Sequence, residues 1–374
     1  MQKKLKLLIL LVTLCVLIAS CQEKNRLLSV DMNQMQPLEI SADAEVFSFL
    51  GDDLFYLRWD DSGENESAPC LIYHHNCNTG ASQYLGRIIL PDMYINPAVQ
   101  IENALYFLGG LPGNQIGVCK VTLDTFELSQ IYQLEQSAFF PRLCNYQNQL
   151  ALLYVLSGQE DIRDYQVKLL DTDGREQKLI VERECEFGNG TYLACMDADR
   201  EYLYILEEEI RGMDRAYRIL RCDSTGEIDH REIDLSEVIR VNAEGLDEDV
   251  VMEMRKVGEY WALNTLNSRF YLFRTKDDAI QKESLNRLLD QSAPGKYRFL
   301  ANSSPEAEHL YILPNNNSAK MYLLEAGQPD LQEITLSVDE EWDFLEHCGT
   351  QMVMQKRTGD DKSQREYCLL SLPK

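Results

Sequence analysis

The chain has 374 residues, 45% of them hydrophobic, with 61 acidic side chains against 36 lysines and arginines and a formal charge of −25. That balance excludes a partner recognised by net positive charge, since nucleic acid and anionic lipid head groups repel such a surface. A chain of this size also needs no disulfides to hold a core, so its 11 cysteines do not imply a disulfide-built scaffold.

In chain order the first element is an apolar run, Leu7 to Ala19, interrupted only by Thr13 and preceded by Lys3, Lys4 and Lys6. It is shorter than the roughly 20 residues a spanning helix requires and has the form of a secretory signal peptide. Its end, Ile18-Ala19-Ser20-Cys21, resembles the lipobox of bacterial lipoproteins. The resemblance implies that residues 1–20 are cleaved and that Cys21 is the lipid-attachment residue. It also implies an exported protein, lipid-anchored to a bacterial membrane on its extracytoplasmic side. Two or three acyl chains hold a protein where one would not. Loss of residues 1–20, with three lysines and no acids, takes the charge to −28 on 354 residues. Residues 21–36 then read as a polar tether and residues 37–374 as one domain.

That domain carries an internal repeat. A Gly, Asn or acidic turn leads into a short apolar strand in "GDDLFYL", "ENALYFL", "QNQLALL", "DREYLYIL", "VGEYWAL", "AEHLYIL" and "GTQMVMQ". The first apolar positions are Leu54, Leu105, Leu150, Tyr202, Tyr260, Leu310 and Met352, at intervals of 51, 45, 52, 58, 50 and 42 residues. These intervals are close to the period of a propeller blade. Each unit continues through a second strand rich in aromatic and β-branched residues, a polar turn and a third strand. A fourth strand stands just before the next anchor, as in "AFFPRLCNY" and "GTYLACMDA". The expected fold class is therefore all-β, a β-propeller of seven four-stranded blades whose circular closure protects its sheet edges. The intervals of 58 and 42 leave six or eight blades open.

The last unit stops after "REYCLLSL" and lacks an outermost strand, whereas the stretch from Pro37 aligns with the outer strand that starts at Leu331. Residues 37–41 are thus expected to close the seventh blade beside Tyr367 to Leu370. The longest connector, Asp234 to Gly258, contains "LDEDVVMEMRKV", whose spacing predicts a helix with Val250, Met254 and Val257 on a common side. Connectors on a rigid scaffold commonly carry function, so this one is the first candidate for a partner contact; a helix that merely covers a blade is the plainer alternative. "KESLNRLLD" has the pattern of another short helix.

Candidate chemistry is sparse. "HHNC", His74 to Cys77, offers ligand-type atoms but falls at a strand-to-turn junction, where a solvent-facing turn is the simpler expectation than a metal site needing three or four convergent ligands. "DTDG", Asp171 to Gly174, and Asp197 to Asp199 resemble fragments of calcium loops, yet "REQKLIVER" reads as a strand and removes the loop geometry, leaving a hairpin turn. The acidic clusters Glu207-Glu208-Glu209, Asp247-Glu248-Asp249 and Asp339-Glu340-Glu341 read as solvated faces. Phe107 to Gly117 has four glycines without the helix that phosphate binding requires. Most cysteines after Cys21 (Cys70, Cys77, Cys119, Cys144, Cys185, Cys195, Cys222, Cys348 and Cys368) read as small core residues. No nucleophile motif is present, so no catalytic, metal-binding or cofactor-binding residue is assigned and no cofactor is implied. The reading that follows is a binding or interaction lipoprotein whose partner is an extracytoplasmic protein, peptide or glycan, besides the membrane through its lipid. The alternative is an extracytoplasmic hydrolase or lyase acting on polysaccharide. Acids, His and Arg converging on the propeller axis with perturbed ionisation would favour the alternative.

Overall fold

A computed structural model describes residues 28–31, 35–60, 69–91, 98–158, 162–186, 189–211, 214–223, 225, 227–235, 238–239, 251–265, 270–276, 279–281, 297–300, 309–314, 320–328, 331–337, 342–358 and 364–372. Cys21, the signal segment, "KESLNRLLD" and two of the acidic clusters lie outside them. The chain enters through two short strands, β1 (Leu28–Asp31) and β2 (Gln36–Leu38). Blade 1 is β3 (Glu45–Leu50), β4 (Asp53–Trp59), β5 (Cys70–Asn76) and β6 (Ala81–Ile88). Blade 2 is β7 (Val99–Ile101), β8 (Ala104–Gly109), β9 (Gly117–Thr122) and β10 (Leu128–Gln133). Blade 3 is β11 (Ala138–Tyr146), β12 (Gln149–Ser157), β13 (Ile162–Leu170) and β14 (Glu176–Glu186). Blade 4 is β15 (Gly190–Ala198), β16 (Leu203–Arg211), β17 (Asp214–Cys222) and β18 (Ile228–Asp234). Blade 5 is β19 (Val251–Val257), β20 (Tyr260–Thr265), β21 (Phe270–Lys276) and β22 (Ala279–Ile280). Blade 6 is β23 (Tyr297–Phe299), β24 (His309–Pro314), β25 (Lys320–Glu325) and β26 (Gln332–Ser337). Blade 7 is β27 (Asp343–Cys348), β28 (Gln351–Thr358) and β29 (Gln364–Ser371), completed on its outside by β2.

The sheets form the ring of a seven-bladed β-propeller. Seven buried apolar clusters fill the seven gaps between neighbouring blades, one cluster per gap. The cluster that closes the circle joins Phe49, Leu54 and Tyr56 of blade 1 to Val353, Tyr367 and Leu369 of blade 7. Second strands are apolar on both faces because each face meets a neighbouring blade: β8 is buried at all six positions, whereas the outer strand β6 is exposed over most of its length. Burial on both faces explains the continuous apolar runs where a half-exposed strand would alternate.

The closing strand is where the sequence places it, with shorter bounds. Gln36, Pro37 and Leu38 pair antiparallel with Leu369, Cys368 and Tyr367. Tyr367 Oη donates to the carbonyl of Ala44, and Gln36 Nε2 donates to the carbonyl of Cys77 at 3.0 Å. The segment expected as a polar tether contributes a strand of its own: β1 runs parallel to β26, Leu28 opposite Ile334 and Asp31 opposite Ser337, as a fifth strand on blade 6.

The packing also moves two anchors by one residue. The positions facing the preceding blade are Leu54, Leu105, Leu150, Leu203, Trp261, Leu310 and Met352, so Leu203 and Trp261 replace Tyr202 and Tyr260. The expected helix fails over its described part, because residues 251–257 form β19, the innermost strand of blade 5. Val251, Met254 and Val257 are buried at a three-residue spacing that imitates a helix. Two strand features produce it: a bulge between Val251 and Glu253, and burial on opposite faces, with Met254 packed toward blade 4 and Val257 toward blade 6.

Candidate functional site: the propeller axis

The innermost strands β3, β7, β11, β15, β19, β23 and β27 surround the axis. They begin on one face of the ring, the entry face, and end in the hairpins of the opposite turn face. Strand register stacks their residues in two rings. Opposite the position after each anchor stand Ser48, Val99, Cys144, Asp197, Arg255, Leu300 and Glu346, nearer the turn face. Two positions toward the entry face stand Glu45, Arg142, Cys195, Glu253, Arg298 and Asp343. Bulges in five inner strands, after Val46, Phe139, Leu193, Val251 and Phe344, lie between or beside these rings. An extra residue at a bulge re-aims the side chains that follow it, which is how apolar strands place charges on the axis. Phe140, in the β11 bulge, takes a positive φ of 49° and is exposed on the entry side.

In the turn-side ring Arg255 Nη1 meets Asp197 Oδ1 at 3.3 Å, and the backbone N–H of Lys256 donates to Asp197 Oδ2 at 2.7 Å. Burial raises the pKa of Asp197, and Arg255 opposes that rise. Burial also works against the charge of Arg255, yet Asp197 and Glu253 keep its pKa above the ordinary value. Glu346, only 4% exposed, has no hydrogen-bond partner for Oε2 among the described residues. Its burial pushes the carboxyl up to about 8, with Arg255 pulling the other way, so the acid is mostly protonated at neutral pH. Ser48 on the adjoining blade is fully buried with its Oγ unpartnered among the described residues.

The entry-side ring alternates in sign: Glu45, Arg142, Glu253, Arg298 and Asp343 in chain order. Glu253 accepts from Asn264 Nδ2 at 3.1 Å, and Arg298 Nη2 donates to the carbonyl of Phe344 at 3.1 Å. Burial lowers the pKa of Arg298, with Asp343 and Glu253 resisting. Arg142 is 9% exposed, and its Nε has no partner among the described residues. Its pKa is lowered by burial and supported by the charge of Glu253. A buried N–H donor left unpaired is costly, which makes Arg142 Nε a candidate donor to an acceptor on a ligand.

His347, beside Glu346, faces blade 6 instead. Its ring lies 5.3 Å from that of His309 and edge-on to Tyr311 at 4.8 Å. Burial and the neighbouring His309 pull it down to about 3, so it stays a neutral packing group throughout the physiological range.

The motifs singled out in the sequence mostly do structural work. His74 and His75 are buried in β5, not in a solvent-facing turn: His74 Nε2 meets Asp53 Oδ1 at 2.7 Å and its ring stacks on Phe126 at 3.8 Å, while His75 Nδ1 meets Ser82 Oγ at 2.9 Å. Asp171 Oδ1 accepts the backbone N–H groups of Asp173 and Arg175, both at 2.9 Å, which makes the expected hairpin. Glu207 and Glu208 are not on a solvated face. Glu207 accepts from Arg183 Nε at 2.9 Å and Arg218 Nε at 2.7 Å, and Glu208 from Arg215 Nη1 at 2.6 Å and Tyr217 Oη at 2.9 Å. Of the cysteines after Cys21, all are buried but Cys348, which is half-buried. Among the described residues no group of three or more His, Cys, Asp or Glu is placed to hold a metal ion. Sequence reasoning missed Arg142, Glu253, Arg255, Arg298 and Glu346. Their signal is charge set among the apolar and aromatic residues of an inner strand, as in "FFPRLC", "KYRFL" and "DFLEHC".

No protein-family model matches the chain, and no curated protein matches it. Solved structures do. An acylaminoacyl peptidase from Pyrococcus horikoshii is similar at 10% identity and a TM-score of 0.52, over 86% of this chain and 50% of its own. A puromycin-hydrolyzing peptidase from Mycobacterium tuberculosis is similar at 11% identity and a TM-score of 0.51, over 84% and 49%. The β-propeller domain of the trilobed protease from Pyrococcus furiosus is similar at 11% identity and a TM-score of 0.47, over 88% and 94%. The chain spans about half the length of the two peptidases, and at such identities the likeness is one of fold.

Proposed function

We propose that this chain is an extracytoplasmic binding or interaction lipoprotein, held on a bacterial membrane by acyl groups on Cys21, that recognises a protein, peptide or glycan at the entry end of its propeller axis. The observation that carries this reading is the entry-side ring. Charges of both signs from blades 3, 5, 6 and 7 converge there, and Arg142 Nε has no partner among the described residues. Such a ring suits a ligand that offers both acceptors and donors, and fixed charges of this kind supply specificity more than raw affinity. Arg142 and Arg298 are the groups assigned to an acceptor on the ligand; Glu253 lies on the inner strand of blade 5, between their blades in chain order.

The test is to display peptide and glycan libraries to the mature chain and to its Arg142→Met and Arg298→Met variants. A ligand held by the parent and weakened at least about tenfold in either variant, the loss expected for one charged hydrogen bond, supports the reading. Binding unaffected by both substitutions overturns the axial site.

Acids and arginines gathered at the axis with perturbed ionisation are also what a catalytic site would need, and this favours a second reading. Glu346 keeps its proton near neutral pH and so has the ionisation a general acid needs, as in a hydrolase or lyase acting on polysaccharide. Turnover of a polysaccharide by the parent, abolished in Glu346→Gln, would replace the binding reading.

A further inference from the structure

We propose that the rim of blade 6 is the side of the molecule that rests against the membrane, so that the entry face stays open to solvent; this rests on the anchoring at Cys21 proposed above. The first described strand after Cys21 is not the closing strand but β1, whose Leu28 pairs with Ile334 in β26 of blade 6. Seven residues separate Cys21 from Leu28, against fifteen to Gln36. A fully extended chain gains at most about 3.5 Å per residue. The lipid is therefore held within about 25 Å of the blade 6 rim, half the reach that a tether running to β2 would allow.

A compact domain of this length has a radius of gyration near 20 Å and is about 50 Å across. A leash of about 25 Å cannot pass round such a body, so blades 2 and 3, across the ring from blade 6, cannot be turned to the bilayer. The direction of β1 adds a second constraint. It runs parallel to β26, from the level of Ile334 toward Ser337, the end from which the chain continues to the inner strand of blade 7. The leash thus arrives from the turn face, and the entry face carrying Arg142 and Arg298 points away from it.

The experiment places a photo-crosslinking amino acid at Gln328, exposed in the blade 6 turn between β25 and β26, or at Leu179, exposed on the outer strand of blade 3. Each protein is carried on phosphatidylcholine vesicles by its acylated Cys21, or by Cys21 coupled to a maleimide lipid. Lipid adducts at Gln328 should exceed those at Leu179 at least about fivefold, and a flexible insert of about 20 residues after Cys21 should erase the difference. Equal labelling without the insert overturns the placement. Failure of the uncoupled protein to join vesicles overturns native acylation instead, and the coupled protein still reports on the rim.

Discussion

Glu346 and His347 are adjacent in β27, and burial moves them in opposite directions with opposite consequences for stability. The folded protein keeps the Glu346 proton up to about pH 8, whereas an ordinary glutamate releases it near 4.5. The unfolded state is therefore increasingly favoured as pH rises through that window. Glu346→Gln should remove the trend, and its Tm advantage over the parent should widen by at least about 3 °C between pH 5 and pH 8; a constant difference would show that the carboxyl ionises freely in the fold. His347 is neutral in the fold down to about 3 against an ordinary 6.5, so stability falls as pH drops below about 6.5. Replacing it with Phe, which preserves the edge-on packing on Tyr311, should flatten that acid limb in melting curves. Glu207 makes a different case, since it is fully buried between Arg183 and Arg218. Glu207→Ala removes the acid shared by two guanidinium groups that are each about a third exposed, and should cost about 1–3 kcal/mol in urea unfolding; an unchanged stability would mean that water replaces the carboxylate without penalty.

At the level of strands and turns, much was legible. "AFFPRLCNY" and "GTYLACMDA" are β11 and β15 with the bounds the sequence suggested, because turn residues and apolar runs are local signals. The Asp171 hairpin was legible for the same reason. Its glycine is fixed more tightly than the motif implies, since Gly174 has a φ of +83° and a Cβ there would stand 2.1 Å from the carbonyl oxygen of Ile131 in blade 2. Gly174→Ala should therefore lower unfolding free energy by about 2 kcal/mol or more, and retention of full stability in denaturant titration would show that blades 2 and 3 yield there. The helix expected before Gly258 was misread for a non-local reason. β19 is packed by blade 4 on one face and blade 6 on the other, and no single-strand period announces two covered faces. The axial charges were illegible on the same grounds: Arg142 and Glu253 are 111 residues apart, and only the strand register of a closed ring sets them at one depth.

For the molecule as a whole, each apolar cluster is shared between neighbouring blades, so no blade buries its own surface and stability depends on completing the circle. The N-terminal segment does this twice, through β2 on blade 7 and β1 on blade 6. The register of β2 sets Pro37 opposite the native Cys368, within the Cα separation a disulfide spans. The most direct test of closure is therefore peptide mapping of Pro37→Cys after mild oxidation and digestion without reduction. A closed ring predicts one dominant cross-link joining residue 37 to Cys368, whereas a free residue 37, or its linkage to a cysteine in any other blade, would contradict the ring.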